Sequence, residues 1–158
     1  VSILAVFAMA LALTAGVAAT EISSTAVYIN GVLANDGVAI YPGDTIAVKV
    51  VFTVENPIST ATDYDHYLND VTVKAELNGY NDDVSQKVFV GRTLEGKTYT
   101  KTLSLKVPYD LKDDSSDAAE IVVSIEGENN GVDFTADDTI VSVEVQRVPY
   151  DASIMSVS

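Results

Sequence analysis

The residues of this chain that could best do chemistry are clustered aspartates. Calcium takes six to eight hard oxygen ligands, and aspartate-rich loops between strands supply such oxygens. Three stretches concentrate them, none with the spacing of an EF-hand loop: Asp63, Asp65 and Asp70; Asp110, Asp113, Asp114 and Asp117; Asp133, Asp137 and Asp138. Two interpretations stay open, namely calcium binding by at least one cluster and solvated loop charges without a ligand.

The residue inventory gives little support to catalysis. Nucleophilic catalysis needs a base, usually histidine, and the chain has a single histidine, His66, and no cysteine. His66 lies in a polar, aromatic stretch that is typical of a solvated loop. A pair of carboxylates could hydrolyse a glycoside, but no pattern marks two of them as converging in a pocket. We therefore expect a protein that is not an enzyme.

Three tyrosines in and near this stretch are candidates for partner contacts: Tyr64, Tyr67 and Tyr80. Tyrosine offers a large contact area with few rotatable bonds, which suits recognition surfaces. The alternative is that these rings pack the loop against the edge of a sheet.

Composition excludes several classes of function. The formal net charge is −14. A field of that sign repels nucleic-acid phosphates and anionic membrane surfaces. The chain has no cysteine, so it has to fold on a hydrophobic core rather than on disulfides.

The first twenty residues differ from all that follow. Residues 1–20 carry no charge, and Glu21 is the first ionisable side chain. An apolar run with small residues at its end is typical of a secretory signal peptide, which predicts a secreted or cell-surface protein. The alternative is a retained hydrophobic helix, since twenty residues span about 30 Å, enough for a bilayer.

The remaining sequence has the two-residue period of half-buried strands. Runs of alternating apolar residues predict strands at 25–29, 45–55, 71–77, 84–90, 99–107, 121–125 and 141–145, separated by Gly, Pro and Asn turn signals. Strands with one buried face are typical of antiparallel sheets. About seven of them predict an all-β fold, an immunoglobulin-like antiparallel β-sandwich, preceded by the apolar N-terminal segment.

The pattern also suggests boundaries. The stretch 58–70 has no clean period and is interpreted as a long loop. The sandwich is expected over residues 21–148. Residues 149–158 are interpreted as a linker with the start of a following domain, because alternation resumes after Pro149; the alternative is a frayed tail.

Two strands carry a family resemblance. The segment P-G-D-x-I-x-V-x-V at 42–50 and the strand end L-x-L-x-V-P at 103–108 resemble exported prokaryotic surface proteins, particularly archaeal ones, with immunoglobulin-like domains of the CARDB (cell-adhesion-related) type. The resemblance implies tandem domains, a cell-surface setting and partners among other surface proteins. It brings no catalytic residues. The expected function is a non-catalytic adhesion-type module, with a pilus-like filament subunit that retains residues 1–20 as the alternative.

Overall fold

A computed structural model describes residues 21–35, 37–55, 67–81, 84–110, 118–129 and 131–146. Every regular element in these ranges is a β-strand, and none of them contains a helix long and apolar enough to cross a membrane. The predicted N-terminal segment 1–20 and the predicted linker 149–158 lie outside the described residues. The ten strands are β1 (Ile22–Ile29), β2 (Val32–Leu33), β3 (Val38–Ile40), β4 (Thr45–Val54), β5 (Tyr67–Asn78), β6 (Val84–Leu94), β7 (Thr98–Lys106), β8 (Ala118–Asn129), β9 (Val132–Thr135) and β10 (Thr139–Val145).

The strands form two sheets. The first has the order β2-β1-β4-β7, and the second has the order β3-β10-β8-β5-β6, with β9 paired to the end of β8. The all-β fold with two packed sheets is confirmed. The expectation of purely antiparallel sheets needs a correction, because β3 pairs with β10 in parallel. The parallel pair arises because the chain changes sheets between β2 and β3. Strand β2 pairs with β1 in the first sheet, and β3 then pairs with β10 in the second.

The core lies between the two sheets and is built from the predicted alternation. One cluster of buried side chains draws on both sheets, and Phe52 stacks on Tyr99 with ring centroids 5.7 Å apart. The inward faces predicted from the sequence are buried at Ile46, Val48, Val50, Phe52, Val54, Val71, Val73, Ala75, Leu77, Leu103, Leu105, Val107, Ile121, Val123, Ile125, Val141, Val143 and Val145.

Strand β5 begins earlier than the sequence indicates. Residues 67–70 were expected to end a loop, yet they pair with β6 and β8. Two bulges explain the lost period. The first bulge is in β5, where Asp70, at φ 50°, is an extra residue relative to β6. The second is in β6, which has an extra residue next to Gly91, at φ 88°. The first bulge shifts the pairing register by one residue and the second restores it. Both Leu68 and Val71 therefore point into the core.

Strand β8 also extends further than expected, past Gly127 to Asn129. Gly127 lies opposite Phe134 of β9. A β-carbon at Gly127 would lie 2.9 Å from Phe134 Cε1 and 2.9 Å from the Asn69 carbonyl oxygen. The glycine therefore leaves room for the aromatic ring rather than ending the strand.

The sandwich is closed along one side by β6 and β7, the outermost strands of the two sheets on that side. The Gln86 side-chain oxygen accepts a hydrogen bond from the Ser104 backbone amide. Lys101, opposite the buried Val50, is half-buried on the core-facing side of β7. A capped amide and an inward-facing charge both discourage a foreign strand from pairing with this edge.

Candidate binding surface

An open polar groove lies at one end of the second sheet. It has a volume of about 420 Å³ and is lined by Asp70, Glu126, Gly127, Glu128, Asp133, Phe134 and Thr135. The bulge in β5 places Asp70 at this groove, while strand pairing sets Glu128 directly opposite Asp133. Like charges in opposite positions of a ladder destabilise a sheet, so this groove favours positively charged neighbours.

The structure brings only some of the predicted calcium ligands together. Asp70 and Asp133 share the groove, whereas Asp110 follows β7 and is exposed. Asp137 and Asp138 lie in the exposed connection between β9 and β10. In the part of the chain that the structure describes, no three His, Cys, Asp or Glu side chains are arranged to hold a metal ion. The remaining candidates, Asp63, Asp65, Asp113, Asp114 and Asp117, lie outside that part, as does His66, so calcium binding stays a prediction.

The predicted tyrosines have different environments. Tyr80 is 2% exposed and belongs to the core, so its ring packs the fold rather than meeting a partner. Tyr67 begins strand β5 and lies beneath Arg92 of the neighbouring β6, whose guanidinium carbon is 4.1 Å from the centre of the ring. The Arg92 Nε also donates a hydrogen bond to Asn69 Oδ1 at 3.1 Å. Tyr67 therefore fixes an arginine on the outer surface. Tyr64 lies outside the described residues.

Two tyrosines that the sequence analysis did not single out are the more exposed ones. Tyr109 is 76% exposed and Tyr41 is 48% exposed. Tyr41 starts a turn in which the Asp44 amide donates to the Tyr41 carbonyl at 3.1 Å, with Gly43 at φ 83°, as in a type II turn. The Pro-Gly pair in the sequence marks this turn, whereas no periodic signal marks Tyr109.

Charge is divided across the outer face of the second sheet. Strand β6, at one side of the face, has Lys87 and Arg92 and no acid; residues 118–146, which contain β8 to β10, have seven acids and no Lys or Arg. We call Lys74, Lys87 and Arg92 the basic half of the face. We call the acids towards the other side the acidic half: Glu120, Glu128, Asp133, Asp137, Asp138 and Glu144. Glu76 and Glu126 lie between them and pair with Lys74 and Lys87.

Comparison with known proteins adds little. No family model and no curated protein matches the chain. Among solved structures, it is similar to the sporulation control protein Spo0M from Bacillus subtilis, with 14% sequence identity and a TM-score of 0.39. The match covers 79% of this chain and 51% of that chain, so this chain spans about half the length of Spo0M. A likeness this distant carries no functional implication.

Proposed function

We propose that this chain is a non-catalytic module of an exported cell-surface protein, of the structural or adhesion type, built on an immunoglobulin-like sandwich. The strand order supports this most directly. The central order β10-β8-β5 follows the G-F-C order of immunoglobulin domains, and β1-β4-β7 follows the A-B-E order of the facing sheet. Such sandwiches serve widely as rigid modules of cell-surface proteins.

The surface chemistry agrees with a role in binding. Arg92, held over the ring of Tyr67, lies on the outer face of the second sheet. Exposed tyrosines flank a turn at Gly43. Fixed arginines and exposed tyrosines are typical of protein interfaces. The partners we propose are other surface proteins or tandem domains of the same chain, and not nucleic acid.

Export is the second part of the proposal. The uncharged segment 1–20 supports secretion, and a cysteine-free apolar core needs no oxidising compartment to fold. The protein works without a required cofactor, with calcium as an optional ligand of the aspartate loops. Contact with a membrane runs only through residues 1–20, if they are retained.

A filament subunit is the alternative function. Strand β1 begins at Ile22, so a retained apolar helix would join the sandwich directly, as the subunit of a pilus-like filament requires. In that case residues 1–20 pack in the filament core and the sandwich lies outside.

Intact-mass and N-terminal sequence analysis of the native protein from its source tests both functions. A mature N-terminus close to Glu21, on a protein that is released or labelled at the cell surface, supports the exported module. An N-terminus that retains residues 1–20 on a protein recovered in filaments supports the alternative. Recovery of the unprocessed protein from the cytoplasm alone would contradict both.

A further inference from the structure

The outer face of the second sheet carries its charges in rows that run across the strands. The first row crosses four strands and consists of Arg92 of β6, Asn69 of β5, Glu128 of β8 and Asp133 of β9. A hydrogen bond joins Arg92 to Asn69. Strand pairing sets Asn69 opposite Glu128 and Glu128 opposite Asp133. A second row runs from Lys87 through Lys74 to Ser124. Asp137 and Asp138 continue this row on the far side of Ser124. Their position follows from their neighbours: the Ala136 amide donates a hydrogen bond to the Ile125 carbonyl, and Thr139 pairs with Val123.

The charges of each row are complementary to those of the same row read in the opposite direction. Read from β6 towards β9, the first row is positive, neutral, negative, negative. The second row is positive, positive, neutral, negative. A second copy turned by 180° about an axis parallel to the strands presents each row in the opposite direction at the same height. Arg92 then faces Asp133 of the second copy, and Lys87, which pairs with Glu126 of its own chain, faces the connection of the second copy that contains Asp137 and Asp138.

We propose that two copies of this chain pair face to face across this surface, about a two-fold axis parallel to the strands. Such an interface is self-complementary, so each contact occurs twice. An axis perpendicular to the strands would place β6 on β6 and set like charges against each other. The charge pattern therefore selects one of the two ways in which these faces can meet.

The size and composition of the face suit this pairing. From β10 to β6 it spans three strand spacings, about 14 Å, and the 12 residues of β5 extend for about 40 Å. With side chains at the margins, the face offers on the order of 700 Å², close to the roughly 800 Å² per partner of a standard interface. Phe89 and Ile140, which are 62% and 59% exposed, lie on this face, and pairing would bury part of both side chains.

The net charge of −14 opposes association at long range. At physiological salt, charges further apart than about 8 Å are largely screened, whereas close pairs are screened much less. At that salt concentration the close contacts between the basic and acidic halves therefore meet less opposition from the net charge. The pairing does not depend on export and is a separate property of the domain.

Charge-swap variants test the pairing. Within one chain Arg92 and Asp133 are three strands apart, about 14 Å, so they have no direct contact there. Arg92→Glu and Asp133→Arg are each expected to weaken dimerisation at least tenfold, measured by sedimentation equilibrium of the full chain at 0.15 M salt. The double variant R92E/D133R restores both contacts and is expected to return the dissociation constant to within about threefold of the original.

Controls keep the result interpretable. Lys106→Glu makes the same kind of charge change on the first sheet and is expected to leave dimerisation unchanged. Thermal melts followed by circular dichroism verify that each variant folds. The proposal is overturned if the unmodified chain stays monomeric at millimolar concentration. It is equally overturned if the single variants dimerise normally, if the double variant does not recover, or if the assembly is an open filament.

Discussion

The ring of Tyr109 lies across Gly43, with its Cζ atom 2.6 Å from the position that a β-carbon at Gly43 would take. The same glycine has φ 83°, its amide donates to the Val107 carbonyl at 2.9 Å, and its own carbonyl accepts from Lys106 Nζ. Only a residue without a side chain satisfies both the turn and the ring. The exposed ring therefore lies directly over the turn at this end of the sandwich.

Replacing Gly43 by alanine is expected to destabilise the domain about as much as the same change at Gly31. The two glycines have similar φ values of 83° and 85°, so each alanine costs backbone strain of about 1–2 kcal/mol. At Gly43 the added β-carbon also meets the outer end of the Tyr109 ring, but that side chain is 76% exposed and can turn away into solvent. Urea unfolding measures both losses, and G43A/Y109A should unfold like Gly43→Ala; a clearly larger loss at Gly43 that Tyr109→Ala relieves would contradict this expectation.

Asn30 is expected to stabilise the hairpin between β1 and β2 in two separable ways. It adopts φ 50°, and its Oδ1 accepts a hydrogen bond from the Ala47 amide at 2.9 Å. Asn30→Gly keeps the conformation and loses the bond, a cost of about 1 kcal/mol. Asn30→Ala loses both, about 2 kcal/mol. If alanine and glycine proved equally costly in thermal unfolding, the backbone conformation would contribute nothing.

Gln86 is expected to protect the Ser104 amide at the outer edge of β7. Gln86→Ala removes the acceptor that bonds this amide, so amide hydrogen exchange at Ser104 should accelerate markedly, with a stability loss of about 1 kcal/mol. Gln86→Glu retains an acceptor oxygen and serves as the matched control. Unchanged exchange at Ser104 in the alanine variant would show that β7 is protected by other means.

The predicted calcium loop has a direct test. If Asp63, Asp65 and Asp70 bind the ion, millimolar calcium raises the melting temperature, because a ligand that binds only the folded state stabilises it. The variant D63N/D65N/D70N should abolish that rise, while E21Q/E55Q/E120Q, at three acids outside all of the aspartate clusters, serves as a control of equal charge change. A melting temperature that does not respond to millimolar calcium contradicts the prediction.

Much of the fold follows from local pattern. Alternation at Ile46, Val48 and Val50 predicts the inward face of β4 because a strand repeats every two residues. The same rule fails to predict the part of β5 before Val71, because the bulge at Asp70 shifts the alternation of inward and outward side chains by one residue. Gly127 wrongly indicates the end of a strand, because β8 continues to Asn129. Its space is filled by Phe134 from another strand, and a contact between distant residues leaves no local signal.

The candidate surface was less predictable than the fold. The aspartate clusters are visible in the sequence, but which of them meet depends on strand order. Arg92 and Asp133 fall in one row only because β5 and β8 lie between their strands. Tyr80 was expected as a contact residue and is buried, while the exposed ring of Tyr109 lies beside a turn more than sixty residues away in sequence.

The parallel pairing of β3 with β10 determines how the domain carries tension. Val38, Ala39 and Ile40 pair with Val143, Glu144 and Val145 in the same direction. When the chain is pulled from its two ends, strands that run in parallel slide along each other, so their hydrogen bonds bear the load together rather than opening one after another. A strand of only three residues thus becomes a point of mechanical resistance in the domain.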